Sequence, residues 1–336
     1  MKDRLTIAAV SALLFTAGCN LPQSTLHPAG RASGILAQLG WIVYILFGAT
    51  AFIMWILLAW ACTRKKGSLE THEPWHEGGG QPWILIGGFA IPFVVLCSLF
   101  VLAMERMSEF PVHQHHEVTP EIEVIGHQWW WEVHYLSGGP SEQFVTANEI
   151  HIPVGRPIDI LLESHDVIHS FWVPALHGKV DLIPGQANYI RVEADHAGEF
   201  PGQCGEFCGM QHAHMRLLVV AQSPQDYDAW RQAQLKPAAV PQNEEALHGQ
   251  EVFNNAACAL CHSIRGTVAQ GKVAPDLTHL ASRKMIAANS YVNNKANLEA
   301  WVVHAQSLKP GAEMPNITAF NGKDTRALVA YLQGLK

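Results

Sequence analysis

The segment GQCGEFCGMQHAHM, residues 202–215, places two cysteines, two histidines and two methionines around one glutamate. Cys204 and Cys208 are spaced C-x3-C; His212 follows, and Met215 stands three residues further on. Thiolate, imidazole and thioether together favour copper and hold Cu(I) well. One cysteine would suffice for a mononuclear copper site, whereas two on one loop can bridge a pair of ions. Bridging sulfurs let the pair share one electron with little change of geometry, which suits rapid electron transfer. Each copper also needs a terminal nitrogen. His212 is one, and the segment SHDVIHSFWVP supplies the other from His169 or His165. Two simpler readings exist: a disulfide between Cys204 and Cys208 in an oxidising compartment, or a zinc site. Zinc explains neither the separate His-Ser-Phe-Trp segment nor the apolar stretches described below.

A second cluster, CALCH, runs over 258–262. C-x2-C-H is the attachment pattern of c-type haem. Cys258 and Cys261 would add across the two vinyl groups, which leaves His262 in place as the proximal axial ligand. Met314, in the context GAEMPNIT, is the expected distal ligand, since a thioether raises the haem potential. Met285 is the alternative, less favoured beside Arg283 and Lys284. A zinc or redox reading of C-x2-C-H lacks the further ligands it would need.

These clusters need elements to position them. The chain has 336 residues, a formal charge of −7 and only 15% charged residues. That fraction is low for a soluble domain and points to membrane segments. No basic stripe marks a nucleic-acid binder. Residues 1–18 read as a signal peptide of the lipoprotein type: Lys2 and Arg4, an apolar run, then FTAGC, with Cys19 as the lipidated residue. Residues 19–116 read as a transmembrane hairpin with spans at about 35–62 and 82–104, each supplying about 20 apolar residues. Arg64, Lys65 and Lys66 between the spans place that loop in the cytoplasm. Everything after the second span then faces the outside of a bacterial cell membrane. Glu77 reads as a solvated loop acid, and Cys62 and Cys97 as apolar residues of the spans.

Residues 117–222 carry short β-like runs, among them EIEVIGHQWWWEVHY, NYIRVEA and MRLLVVA, punctuated by turn residues. Regular spacing of this kind predicts a Greek-key β-sandwich or barrel. The three tryptophans, 129–131, are expected to alternate faces of one strand. Residues 223–244 are polar and rich in Pro, Ala and Gln, and read as a linker with at most one helical turn. About 20 flexible residues give a reach of about 25 Å. Residues 245–336 form three helical stretches, a separate all-α region.

The hairpin, GHQWWWEVHY, VIHSFWVP and GQCGEFCGMQHAHM together resemble subunit II of cytochrome c oxidase, in the family's order and over the chain as far as about Ala221. The remainder is similar to class I cytochrome c, and the combination resembles the caa-type oxidases. The resemblance implies a cupredoxin-like domain with a dinuclear CuA centre. Cys204 and Cys208 would bridge the coppers, with His169 and His212 as terminal ligands. Met215 and the Glu206 backbone carbonyl would be weak ligands. The Glu206 side chain would point to a magnesium ion shared with the catalytic subunit. Trp129 matches the aromatic through which electrons reach CuA, and Asp166 matches an acidic docking position. The implied function is to pass electrons from an external donor (a cytochrome c, another small redox protein or a quinol-oxidising complex) through haem c and CuA. They go on to oxidase subunit I, where oxygen is reduced to water. A nitric oxide reductase subunit and a stand-alone membrane-tethered carrier are the competing readings, and co-purification with a partner separates them.

Overall fold

The structure, a computed structural model, describes residues 23–63, 80–110 and 119–336. Cys19, Glu77 and the Arg64–Lys66 charges lie outside the described residues. The molecule divides into two compact units, Gly34–Pro111 and the residues flanking it on either side.

Two helices, α1 (Arg31–Thr63) and α2 (Gln81–Ser108), are long and apolar enough to cross a membrane. Side chains such as Trp55 and Phe89 are exposed along them, as expected where lipid rather than protein is the solvent. The first part of α2 winds as a π-helix over Ile84–Ala90, just before Pro92. Proline has no N–H to continue the i→i−4 ladder, and a local change of winding accommodates the gap.

The β region contains ten strands: β1 (Ile122–His127), β2 (Trp130–Tyr135), β3 (Phe144–Ala147), β4 (Glu149–Pro153), β5 (Ile158–Ser164), β6 (His169–Trp172), β7 (Val180–Leu182), β8 (Asn188–Val192), β9 (Gly198–Cys204) and β10 (Arg216–Gln222). They form two five-stranded sheets, ordered β3-β2-β1-β5-β8 and β4-β10-β9-β6-β7. Both are mixed, because β1 runs parallel to β5 and β4 parallel to β10. The sheets curl only partly, so the expected barrel is not closed. Strict alternation in β1 and β2 puts Ile122, Val124, Trp131 and Val133 inside. They share one core with Ile150, Ile152, Phe171, Leu217 and Val219 of the other sheet.

The tryptophan run does not lie on one strand. Trp129 sits in the turn between β1 and β2, while Trp130 and Trp131 begin β2. Trp131 is fully buried, and Trp130 stacks on His127 with ring centroids 4.4 Å apart.

Residues 223–244 also differ from the expected linker. Eleven of them form α3 (Pro224–Gln234), capped by Ser223 Oγ, which accepts from the Asp226 amide. Its Trp230 stacks on His151 at 4.0 Å and meets Tyr135 and Phe144 edge-on. Tyr227 and Trp230 are three residues apart and so share one helix face. That apolar face inside a Gln/Ala-rich segment is what ties it to the sheets.

The C-terminal region contains α4 (Glu244–Asn255), the short α5 (Cys258–Cys261), α6 (Lys295–Leu308) and α7 (Gly322–Gly334). Asn243, Asn294 and Asn321 cap α4, α6 and α7 by accepting backbone N–H groups. Helices α4 and α7 cross with Phe253 edge-on to Tyr331. The segment EEALHGQEVFNNAACALCH, residues 244–262, expected as one of the three helical stretches, is broken between Asn255 and Cys258. The region is helical apart from two two-residue strands, β11 (Met285–Ile286) and β12 (Tyr291–Val292).

Candidate functional site

Strand β9 ends on Cys204 and β10 begins at Arg216, so the loop between them is held at both ends by paired strands. His169 opens β6, next to β9. Gly126 on β1 makes room for the ring: a Cβ there would come within 2.8 Å of His169 Cδ2. The donor atoms converge. Cys204 Sγ is 3.7 Å from Cys208 Sγ, too far for a disulfide. His169 Nδ1 is 3.9 Å from Cys204 Sγ, and His212 Nδ1 is 3.5 Å from Cys208 Sγ. Met215 Sδ is 3.7 Å from Cys208 Sγ, and the Glu206 carbonyl oxygen lies 3.2 Å from Cys204 Sγ. His169, Cys204 and Cys208, all buried, form a group able to hold a metal ion.

The electrostatics favour a cation. The contact between the two sulfurs holds Cys204 well below the ordinary thiol range, although burial opposes it, and the same contact together with burial pushes Cys208 up. The two sulfurs therefore share one proton, which a bound cation would release. Burial works against a charged His169, but its hydrogen bonds with Cys204 and Asp166 outweigh that and raise its pKa.

Asp166 orients this histidine. Its Oδ1 is 2.7 Å from His169 Nε2, and its Oδ2 accepts from the Gln128 amide at 2.6 Å. These bonds tie the Asp166 carboxylate to His169 and to the β1–β2 turn. His165 is not in the cluster; its ring packs on His127 at 4.8 Å. The Glu206 carboxylate pairs with Lys179. The Trp129 indole N–H donates to the Cys208 carbonyl at 2.8 Å, and Gln128 Nε2 donates to the same oxygen at 2.7 Å.

The second cluster faces a cavity of about 440 Å³. Cys258, Cys261, His262 and Met314 line it, and so do Met285 and, from the β region, Trp129. His262 Nδ1 donates to the Pro275 carbonyl at 2.7 Å, which leaves Nε2 free as a ligand. Burial lowers its pKa and keeps the ring neutral, as metal ligation requires. Phe253, Leu280, Leu298 and Leu328 are among the apolar residues of its walls.

Comparison with known proteins covers the regions that carry the two clusters. The family model "Cytochrome C oxidase subunit II, periplasmic domain" matches residues 134–222. The model for cytochrome c matches 246–336. A cytochrome c oxidase subunit 2 from Alkalihalophilus pseudofirmus is 36% identical, over 96% of this chain and 94% of its own. The chain belongs to the cytochrome c oxidase subunit II family. It is also 26% identical to the Bacillus subtilis subunit 2, over 99% of this chain and 98% of that one. The crystal structure of the periplasmic domain of subunit II from Bradyrhizobium japonicum is 30% identical, covering 34% of this chain and 91% of that one, with a TM-score of 0.32. As a subunit II, the chain is an electron-transport oxidoreductase component of the respiratory chain whose catalytic site lies elsewhere. It carries a periplasmic oxidase domain followed by a cytochrome c-like region. Membership implies association with a catalytic subunit I in a membrane complex.

Two participants were not legible in the sequence as such. Asp166 stood out through the resemblance as a docking acid, not as a partner of His169; its i,i+3 spacing to that histidine was the available signal. Lys309 carried no signal beyond its place in SLKPG; its contacts are described below.

Proposed function

We propose that this subunit receives electrons from an external donor at its C-terminal region and delivers them through its β region to a subunit I that reduces oxygen to water. The observation that carries this reading is the pair of buried sulfurs, 3.7 Å apart, each flanked by an imidazole nitrogen. Two bridging thiolates with one nitrogen each are the donor set of a dinuclear copper centre, here on a cupredoxin-like domain. Cys204 and Cys208 would bridge, His169 and His212 would be terminal, and Met215 and the Glu206 carbonyl would complete the set. Cys258, Cys261, His262 and Met314 would hold covalent haem c. When bound, the two groups supply one-electron oxidation and reduction.

The chain's own residues prepare both sites. Asp166 and the Pro275 carbonyl fix the tautomers of His169 and His262. Restrained ligands that change little between oxidation states keep reorganisation small. The apolar walls around His262 exclude water. Trp129 lines that cavity and is hydrogen-bonded to Cys208, so it supports the role of the residue where electrons pass from one site to the other. A magnesium site does not fit the residues of this chain alone. One carboxylate already paired with Lys179 offers too few oxygen ligands, and no step is derived from it.

The test is metal and haem analysis of the full-length protein, with EPR and optical spectra. About two coppers per c-type haem, with one unpaired electron shared by both coppers, is the expected result. Zinc, a single copper, or haem without copper would overturn the reading.

A further inference from the structure

Lys309 follows the last residue of α6 and is 3% exposed, with no carboxylate partner in any ion pair among the described residues. Its Nζ donates to the carbonyls of Trp129 at 2.7 Å, His214 at 3.0 Å and Ala287 at 3.4 Å. Trp129 and His214 belong to the β region and Ala287 to the C-terminal region, so one ammonium ties three separate segments. Lysine has three donors, and all three are used here. The residues that follow press on the same surface. The Pro310 carbonyl accepts from Gln211 Nε2 at 2.8 Å. Gly311 has φ +83°, and a Cβ there would sit 3.3 Å from Met210 Sδ and 3.6 Å from the Trp129 ring. The turn is also joined to Met314, because Gln306 accepts from the Gly311 amide and donates to the Met314 carbonyl.

We infer that Lys309 is a positioning residue: a buried latch that fixes the C-terminal region on the copper loop, with Trp129 held between the two redox sites. A buried ammonium is costly, and burial pushes this one down to about 7. An apolar side chain would fill the space at lower cost. What the lysine adds is direction, since its donors define where three carbonyls must lie. Further bonds cross the same contact. The Arg216 amide donates to the Ala288 carbonyl at 3.2 Å, and the Lys284 amide to Glu149 Oε2 at 3.0 Å. With the latch closed, the C-terminal region is docked, not loosely tethered. The effect on electron transfer rests on the function proposed above; the docking itself does not.

The test uses the full chain in its oxidase complex, wild type against Lys309→Met. Amide exchange over 212–216 and 285–290 reports docking without reference to copper or haem. Transient absorption after rapid reduction of the haem reports transfer to copper, and the rate of haem reduction by an external donor is the control. The latch predicts faster exchange in both segments. It also predicts transfer to copper slowed at least about tenfold, as small misplacements of reacting centres commonly produce, with haem reduction unchanged. Unchanged exchange, or faster exchange with an unchanged transfer rate, overturns it. If the wild type carries no copper or haem, the function fails while the exchange result still judges the docking. Should the variant not fold, acylation of the wild-type lysines decides. Lys309 must react far more slowly than the exposed Lys179 and Lys284, and equal reactivity overturns the latch.

Discussion

Asp166 Oδ1 lies 2.7 Å from His169 Nε2, and the opposite nitrogen of that ring faces Cys204 at 3.9 Å. The carboxylate thus selects which nitrogen is offered to a metal. Partners of this kind typically contribute 10–100-fold in metal affinity. Asp166→Ala is expected to weaken copper binding by about that factor, measured by competition with a chelator, while the fold, followed by circular dichroism, stays intact.

Cys204 and Cys208 act together, because each sulfur's proton affinity depends on the other. On the proposed function, Cys204→Ser removes one of two bridging sulfurs. The expected outcome is loss of the shared-electron EPR signal and a fall in copper content, with the c-type haem spectrum unchanged. Removing copper from the wild type with a chelator should reproduce the same spectrum.

Met314 and Met285 both line the cavity beside His262. Met314→Ala is expected to lower the haem potential, because a thioether ligand raises it. Met285→Ala should leave the potential near that of the wild type. Redox titration of the two variants checks the assignment, and the reverse pattern would exchange their roles.

On the outer face of β1 and β2, His134 lies between Glu123 and Glu132 at 3.1 and 2.8 Å. Burial disfavours its charge, but these two carboxylates outweigh that and raise His134 to about 9. Burial likewise opposes ionisation of Glu132, and its bonds with His127 and His134 overcome it and bring it to about 2. A raised histidine stabilises fully below its unfolded pKa and loses that contribution as pH rises through the folded value. A depressed carboxylate stabilises fully above its unfolded pKa and loses it as pH falls. Both contributions are therefore complete between the ordinary carboxylate and imidazole values, 4.5 and 6.5. Melting temperature should decline from there toward pH 9 and toward pH 2. His134→Gln should flatten the alkaline decline.

Trp230 fastens α3 to the sheets through His151, Tyr135 and Phe144. Trp230→Ala is expected to cost about 3 kcal/mol, the low end for a large aromatic because the side chain is only partly buried. Denaturant unfolding measures this. Limited proteolysis should then cut first within 223–244.

The sequence by itself determined the donor types and most of their order. Cys204, Cys208, His212 and Met215 are close in the chain and so stay close in space on a loop pinned by β9 and β10. CALCH is likewise local, and the apolar lengths of α1 and α2 need no tertiary information. Short runs of β-branched and aromatic residues between turn residues announced strands in the β region. Only the tertiary structure decided what depends on distant segments meeting. Nothing in SHDVIHS distinguished His169 from His165 by chemistry alone; the pairing of β6 with β9 brings the first to the sulfurs and leaves the second on His127. Three adjacent tryptophans read as one strand until the β1–β2 turn took Trp129 out of it. Composition hid α3, whose few aromatic residues acquire meaning only against a sheet. Lys309 is polar and sits before Pro-Gly, where a solvated turn is the ordinary expectation. Its burial follows from carbonyls at Trp129 and His214, 180 and 95 residues away in the chain. Local spacing encodes ligands, whereas the orientation of those ligands and the docking of one region on another depend on long-range packing that no short window contains.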